Sequence, residues 1–167
     1  MNRKAIVLDF IKKCTCHEHV ILSSGEETDL YYDLRPAMMT PYFLDAVVTI
    51  IHDEMHPQLT QPYAVGGPKG ALPLITWYMI KYKVPAFFVA DDKVHGVDRA
   101  VCGVDPRSVQ SILLVDDVCT SGGTLVRVNR ILKVVGYDNA VYAMVVLKRT
   151  REERIEQPIA IVEEHEL

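Results

Sequence analysis

The run Ser111-Ile112-Leu113-Leu114-Val115, closed by Asp116-Asp117, constrains the fold more than any other segment of the chain. A strand with one face in water alternates apolar and polar residues. An unbroken apolar run bounded by turn signals instead reads as a strand buried on both faces. Such a strand needs helices on either side of it, which is the layering of a mainly parallel α/β sheet. The sequence repeats this rhythm of strand, loop and helix. Tyr63-Ala64-Val65 leads through Gly66-Gly67-Pro68-Lys69-Gly70 into a helix whose periodic residues are Leu72, Ile75, Thr76 and Met79. A strand over 86–89 runs into a polar segment over 90–107. A helix is expected over 123–135, a strand over 140–147 and a last strand over 159–162.

The first forty residues follow another pattern. Val7, Phe10, Ile11 and Cys14 recur at helical spacing, which predicts a helix over 3–13. Val20-Ile21-Leu22 and Leu30-Tyr31-Tyr32, separated by a polar loop over 23–29, read as the two arms of a hairpin. A second helix starts at Pro41 with Thr40 as its cap, buries Phe43, Ala46, Val47, Ile50 and Ile51, and stops at Pro57. No repeat, low-complexity tract or linker divides the 167 residues. The expectation is one domain over 1–167, with a small N-terminal part of about 1–40 and a core of about 41–167.

Charge narrows the partners. The 18 Lys and Arg against 22 Asp and Glu leave a net charge of −4, without the basic excess that nucleic acid or an anionic membrane surface requires. A few local donors still suffice for a small anion. The apolar stretch over 5–11 is broken by Asp9 and followed by Lys12 and Lys13, unlike a signal-peptide core. No apolar run approaches the roughly 20 residues that span a bilayer. The closing Glu164-His165-Glu166-Leu167 resembles an endoplasmic-reticulum retention tail, which carries no weight without a signal peptide. Cys14, Cys16, Cys102 and Cys119 form no disulfide framework, so reduced thiols and a cytoplasmic location are expected.

In parallel sheets, ligands bind beyond the carboxyl ends of the strands. There the sequence places Asp116-Asp117-Val118-Cys119-Thr120-Ser121-Gly122-Gly123-Thr124. Two carboxylates at the end of a buried strand are costly unless they meet hydroxyls, cations or water. The small residues after them open a helix, where free N–H groups and the helix dipole suit a phosphate. Acceptors for sugar hydroxyls beside donors for a phosphate describe a ribose 5-phosphate cradle; a capped helix after an ordinary strand is the plain alternative. The chain has neither a G-x-x-x-x-G-K-[ST] loop nor a G-x-G-x-x-G turn after a strand.

At these residues the sequence resembles the type I phosphoribosyltransferases, and other segments resemble the orotate phosphoribosyltransferases among them. Ser24-Gly25 followed by Tyr31-Tyr32-Asp33-Leu34-Arg35 is similar to their N-terminal hood. Gly66 to Gly70 with Ala71-Leu72-Pro73-Leu74 resembles their pyrophosphate loop and its helix. Lys93-Val94-His95-Gly96, with Val101-Cys102-Gly103 downstream, resembles their mobile catalytic loop, and Leu147-Lys148-Arg149 the strand end bearing a base-binding arginine. The likeness runs in order from about residue 3 to about residue 152.

The resemblance implies a type I phosphoribosyltransferase-like parallel sheet flanked by helices, with a small hood. It also implies attack of a base nitrogen on the anomeric carbon of phosphoribosyl pyrophosphate, with loss of pyrophosphate. Asp116 and Asp117 would hold the ribose hydroxyls, and Thr120, Ser121, Gly122, Gly123 and Thr124 the 5-phosphate. Lys69 would reach the pyrophosphate. Lys93 and His95 would stabilise the leaving group, and Ser23, Tyr32 and Arg149 would face the base. Mg²⁺ would be held mostly by substrate oxygens and water, with no dedicated protein ligands. The family's loop reaches into a neighbouring site, which implies a homodimer.

The chain also departs from that pattern. Ser23 stands where the family usually has lysine, Val89-Ala90 where it has Arg-Lys, and Cys102 where it has an acidic residue. Between Ala90 and Arg107, Asp91, Asp92, Asp98 and Asp105 outnumber Lys93, Arg99 and Arg107. Transfer to orotate, transfer to another base, and a weakly catalytic sensor of a phosphoribosyl ligand are therefore all open to this sequence. Among weaker signals, Cys14, Cys16, His17 and His19 could ligate a metal but read better as a helix end and loop. His52 and His56, at i and i+4, read as surface residues near a helix C-terminus. Cys119 could be oxidised or could simply fill space. Tyr31 and Tyr32 face opposite sides of a strand, and Arg149 could equally be a solvated strand end.

Overall fold

The structure, a computed structural model, describes residues 2–21, 27–90, 100–149 and 158–167. It begins with α1 (Arg3–Lys13), capped by the Asn2 side chain, which accepts from the Lys4 N–H at 3.0 Å. Two antiparallel pairs follow, one nested in the other. The outer pair joins β1 (Thr15–Cys16) to β4 (Tyr31–Tyr32); the inner joins β2 (Val20–Ile21) to β3 (Glu27–Thr28). This corrects the expected hairpin between 20–22 and 30–32. The arms do pair, but each with a short polar partner that has no apolar signal of its own. A single turn α2 (Arg35–Met38) leads into α3 (Pro41–Met55). Thr40 sits at the cap position without capping, because its hydroxyl donates back to the Pro36 carbonyl at 3.3 Å.

The core sheet starts with β5 (Tyr63–Gly66). Helix α4 (Leu72–Tyr82) carries the chain to β6 (Phe87–Val89), which runs parallel to β5 through single bridges and pairs antiparallel with β7 (Val101–Gly103). Then come β8 (Ser111–Cys119), α5 (Gly123–Val134), β9 (Ala140–Lys148) and β10 (Ile159–Glu163). Strands β10, β9, β8 and β5 lie in that order, all parallel. Their carboxyl ends therefore share one edge. The β7 strand, at the end of a polar stretch, was not anticipated.

The unbroken apolar run of β8 is explained by what covers it. Leu113 and Val115 face one layer with Val65, Met144 and Val146, under Phe43, Val47 and Ile51 of α3 and Leu74 of α4. Ile112 and Leu114 face the other with Ala64 and Val145, under Val128 and Leu132 of α5. Each such side chain, fully buried, contributes about 1.5–3 kcal/mol, so neither face of the strand tolerates a polar residue. Helix α4 buries Leu74, Ile75 and Tyr78, while Thr76 and Met79 are exposed. Its sequence is apolar nearly all round, so periodicity alone misplaced the buried stripe. The helix is oriented by burial of Leu74, Ile75 and Tyr78, and Lys81 donates to Asp45 and Thr49 of α3, both at 2.6 Å.

Candidate active site at the carboxyl edge of the sheet

Strand β8 does not end at Val115 but continues through both aspartates to Cys119, paired with β9 up to Lys148. Period-two alternation sends the aspartates to opposite faces. Asp116 is buried, 6% exposed, and Asp117 is half-buried. Each carboxylate curls onto the next amide: Asp117 N–H donates to Asp116 Oδ1 at 3.0 Å and Val118 N–H to Asp117 Oδ1 at 2.7 Å. Burial, reinforced by the charge of Asp117, pushes the Asp116 carboxyl well above the usual carboxylate range. On its own side Asp117 is sensed by Arg35, whose guanidinium also clamps Asp33 at 2.7 Å and 2.9 Å.

Beyond Cys119 the chain turns at once into α5. Gly122 makes the turn with φ of +73°, a conformation that costs a residue with a Cβ about 1 kcal/mol. Asp116, Thr120, Ser121, Gly122, Gly123 and Thr124 line one cleft of about 390 Å³. Arg127, one turn into α5, lines it too. The 12-residue α5 points its free N–H groups at this cleft. The Asp116 carboxylate, an acceptor, and the N–H donors at the start of α5 thus share one concave space; Asp117 is not part of its lining. Sequence reasoning overlooked Arg127; its place one helical turn past the glycines was the available signal.

The Gly66–Gly70 loop lies beside this edge. A Cβ on Gly67 would come within 2.3 Å of the Val115 carbonyl, so only glycine lets the loop pack against β8. Its carbonyl accepts from Val89 N–H at 2.8 Å. This seats Lys69, exposed at the start of a single 3-10 turn, above the strand ends.

On the neighbouring strand Arg149 is no solvated end. Its N–H donates to the Cys119 carbonyl at 2.9 Å, and its side chain is 4% exposed. The guanidinium stands over the Tyr32 ring, 5.4 Å from its centroid, and Nε donates to Glu164 Oε1 at 3.0 Å. The buried Tyr32 hydroxyl donates to the same oxygen at 3.1 Å. Burial and the Glu164 charge push that phenol's pKa up. Tyr32 and Arg149 are thus brought together. Glu164 was overlooked, because nothing local marks a residue 132 positions from Tyr32 as its partner.

Ser23, Lys93 and His95 lie outside the described residues. Among the described residues no three His, Cys, Asp or Glu converge on a point that could hold a metal. His19 of the Cys14–His19 cluster is occupied by Asp29 at 3.0 Å and Glu27 at 3.6 Å. His52 is packed rather than free, with its ring stacked on Tyr82 at 3.7 Å and Nδ1 3.0 Å from the Tyr78 hydroxyl. Cys119 is buried, and burial raises its thiol pKa, which suits a space-filling role better than a reactive one.

Comparison with known proteins agrees with this geometry. The sequence profile of the phosphoribosyl transferase domain matches residues 51–166. An orotate phosphoribosyltransferase of Pyrococcus furiosus is 28% identical over 98% of this chain and 94% of its own. That of Thermococcus gammatolerans is 32% identical over 77% of this chain and 68% of its own. Among solved structures, the orotate phosphoribosyltransferase of Mycobacterium tuberculosis in complex with Fe(III) dicitrate superposes with a TM-score of 0.70 at 26% identity. That match covers 88% of this chain and 85% of that one. With the matched profile, these relatives and the shared fold, the chain belongs to the phosphoribosyltransferase family of pentosyl-transferring enzymes, alongside the orotate phosphoribosyltransferases.

Proposed function

We propose that this protein transfers ribose 5-phosphate from phosphoribosyl pyrophosphate to orotate, releasing pyrophosphate and forming orotidine 5'-monophosphate. One observation carries the reading: the cleft that joins the Asp116 carboxylate to the Thr120–Thr124 turn and the N-terminus of α5. The turn's N–H groups, aided by the helix dipole, bind the 5-phosphate. Asp116 and Asp117 accept hydrogen bonds from the ribose hydroxyls, and their charge favours the cationic character that develops at the anomeric carbon. There the bond to pyrophosphate oxygen breaks as the bond to a ring nitrogen forms, and that nitrogen loses its proton.

Lys69 faces the departing pyrophosphate. The family likeness assigns Lys93 and His95 to the same leaving group and Ser23 to the base beside Tyr32 and Arg149. The donor set fits Mg²⁺ brought in with the substrate: the carboxylate oxygens of Asp116 and Asp117 at the edge are hard ligands. When bound with the substrate, Mg²⁺ would supply charge neutralisation of the pyrophosphate. A cytoplasmic homodimer completes the proposal. Among the described residues no helix is long and apolar enough to cross a membrane, and exposed Met39, Tyr42, Met79 and Ile80 offer apolar surface for a second subunit.

The test is steady-state pyrophosphate release with Mg²⁺, phosphoribosyl pyrophosphate and a panel of bases. Release that requires orotate is the expected result. Release confined to purines would overturn the proposal.

A further inference from the structure

A guanidinium recognises a planar anion in fork fashion only if the right edge of it is turned to the ligand. Arg149 is anchored at its backbone, where its N–H donates to the Cys119 carbonyl at 2.9 Å. The direction of its side chain is set by Glu164, the first residue of the 3-10 turn that follows β10. Glu164 Oε1 accepts from Arg149 Nε at 3.0 Å and from the Tyr32 hydroxyl at 3.1 Å. The bond runs through Nε, so Glu164 takes the flank of the guanidinium and leaves the edge formed by Nη1 and Nη2. The Tyr32 ring closes one flat side, 5.4 Å from the guanidinium carbon. The Arg149 side chain is 4% exposed, and among the described residues no buried side-chain nitrogen or oxygen lacks a partner. The Nη1–Nη2 edge is therefore the part of Arg149 that meets the opening.

Glu164 is itself held in place. Its turn is closed by Glu166, which accepts from Glu163 N–H at 2.8 Å and from Lys4 Nζ at 2.7 Å. One oxygen of Glu164 thereby ties Tyr32, from the N-terminal part, to Arg149 at the end of β9. We propose that Glu164 is a positioning residue for base recognition: by holding Arg149 at Nε it aims the Nη1–Nη2 edge at the carboxylate of the incoming base. The inference deepens the orotate reading and rests on it, since Arg149 and Tyr32 must be the residues that meet the base. A nearby positive charge alone favours an acidic base from any direction. A fork held on its flank adds two parallel N–H···O bonds, which form from one direction only.

Titration calorimetry of orotidine 5'-monophosphate and uridine 5'-monophosphate into the full 167-residue chain isolates the effect, since the two ligands differ only in the base carboxylate. Their ratio of Kd values cancels any loosening of the site that both nucleotides feel. In the wild type orotidine 5'-monophosphate is expected to bind roughly tenfold or more tighter, the scale of hydrogen bonds to a charged group. In Glu164→Ala that preference falls by roughly tenfold, on the same scale. Glu164→Gln, whose amide oxygen can still accept from Nε and from the Tyr32 hydroxyl, keeps most of it. A preference unchanged or larger in folded Glu164→Ala, or lost equally in both variants, overturns the proposal. Equal binding of the two nucleotides by the wild type also overturns it, while the phosphoribosyl cradle stands. Failure of both nucleotides to bind any of the proteins overturns the cradle itself, and this inference with it.

Discussion

Asp116 shows how a single residue can be chosen against stability. Its carboxyl is buried beside a second one, so the native state holds a proton more readily than the unfolded chain does. Stability attributable to this group therefore falls as pH rises from the ordinary value of 3.8 through the raised native value. Asp116→Asn keeps an oxygen to accept the Asp117 N–H and removes the buried charge. The variant is expected to unfold at a higher urea concentration than the wild type at pH 7, since the buried charge is gone. It should also lose on the order of a hundredfold or more in pyrophosphate release, the scale of removing one preorganised electrostatic group. A residue that destabilises the fold and sustains turnover marks a site. A variant both less stable and fully active would contradict this account of Asp116.

Among the elements, the packing of α3 on α4 and β5 makes a pH-sensitive joint. His52 of α3 lies against Tyr78 and Tyr82 of α4, and the Tyr78 hydroxyl lies 3.2 Å from that of Tyr63 on β5. Burial, and then the charge of His56, lower the His52 pKa below its ordinary 6.5; Asp53 opposes this and Lys81 adds to it. A histidine held neutral in the native state stabilises above its unfolded value and loses that contribution as pH falls below it. His52→Phe keeps the stack on Tyr82 but cannot titrate. Between pH 7 and 5.5 the Tm of the wild type should fall more steeply than that of the variant; equal slopes would contradict the assignment.

Elements with a strong period were legible in the sequence. Helix α1, the long α3 and the four strands of the sheet form where the apolar pattern places them, except that β8 runs on past its apolar stretch to Cys119. The tight turn after β8 was legible too, because its glycines and hydroxyls follow a buried strand and open α5. What stayed hidden depends on contacts remote in sequence. The buried stripe of α4 is chosen by its packing on α3 and β5, where Leu74, Ile75 and Tyr78 join Phe43, Val47 and Val65. The nested pairing of β1 with β4 and β2 with β3 involves two-residue strands too short for a period to show. The Tyr32, Arg149 and Glu164 cluster joins the two ends of the chain and leaves no local trace.

At the scale of the whole molecule, a protein of net charge −4 is proposed to bind a polyanion. The parallel sheet resolves the conflict by geometry. It brings the ends of β5, β8, β9 and β10 to one edge, where helix N–H groups, Lys69 and Arg127 supply local positive potential that overall charge does not. In the proposed function the two aspartates at that edge meet the sugar rather than the phosphate.

A crystal structure with orotidine 5'-monophosphate tests this most directly. Phosphate oxygens are expected within about 3 Å of the N–H groups of residues 121–124, ribose hydroxyls on Asp116 and Asp117, and the base beside Tyr32 and Arg149. A nucleotide seated instead in the apolar cleft lined by Leu125, Asn129, Val141 and Ile159, with the phosphate turn untouched, would contradict it.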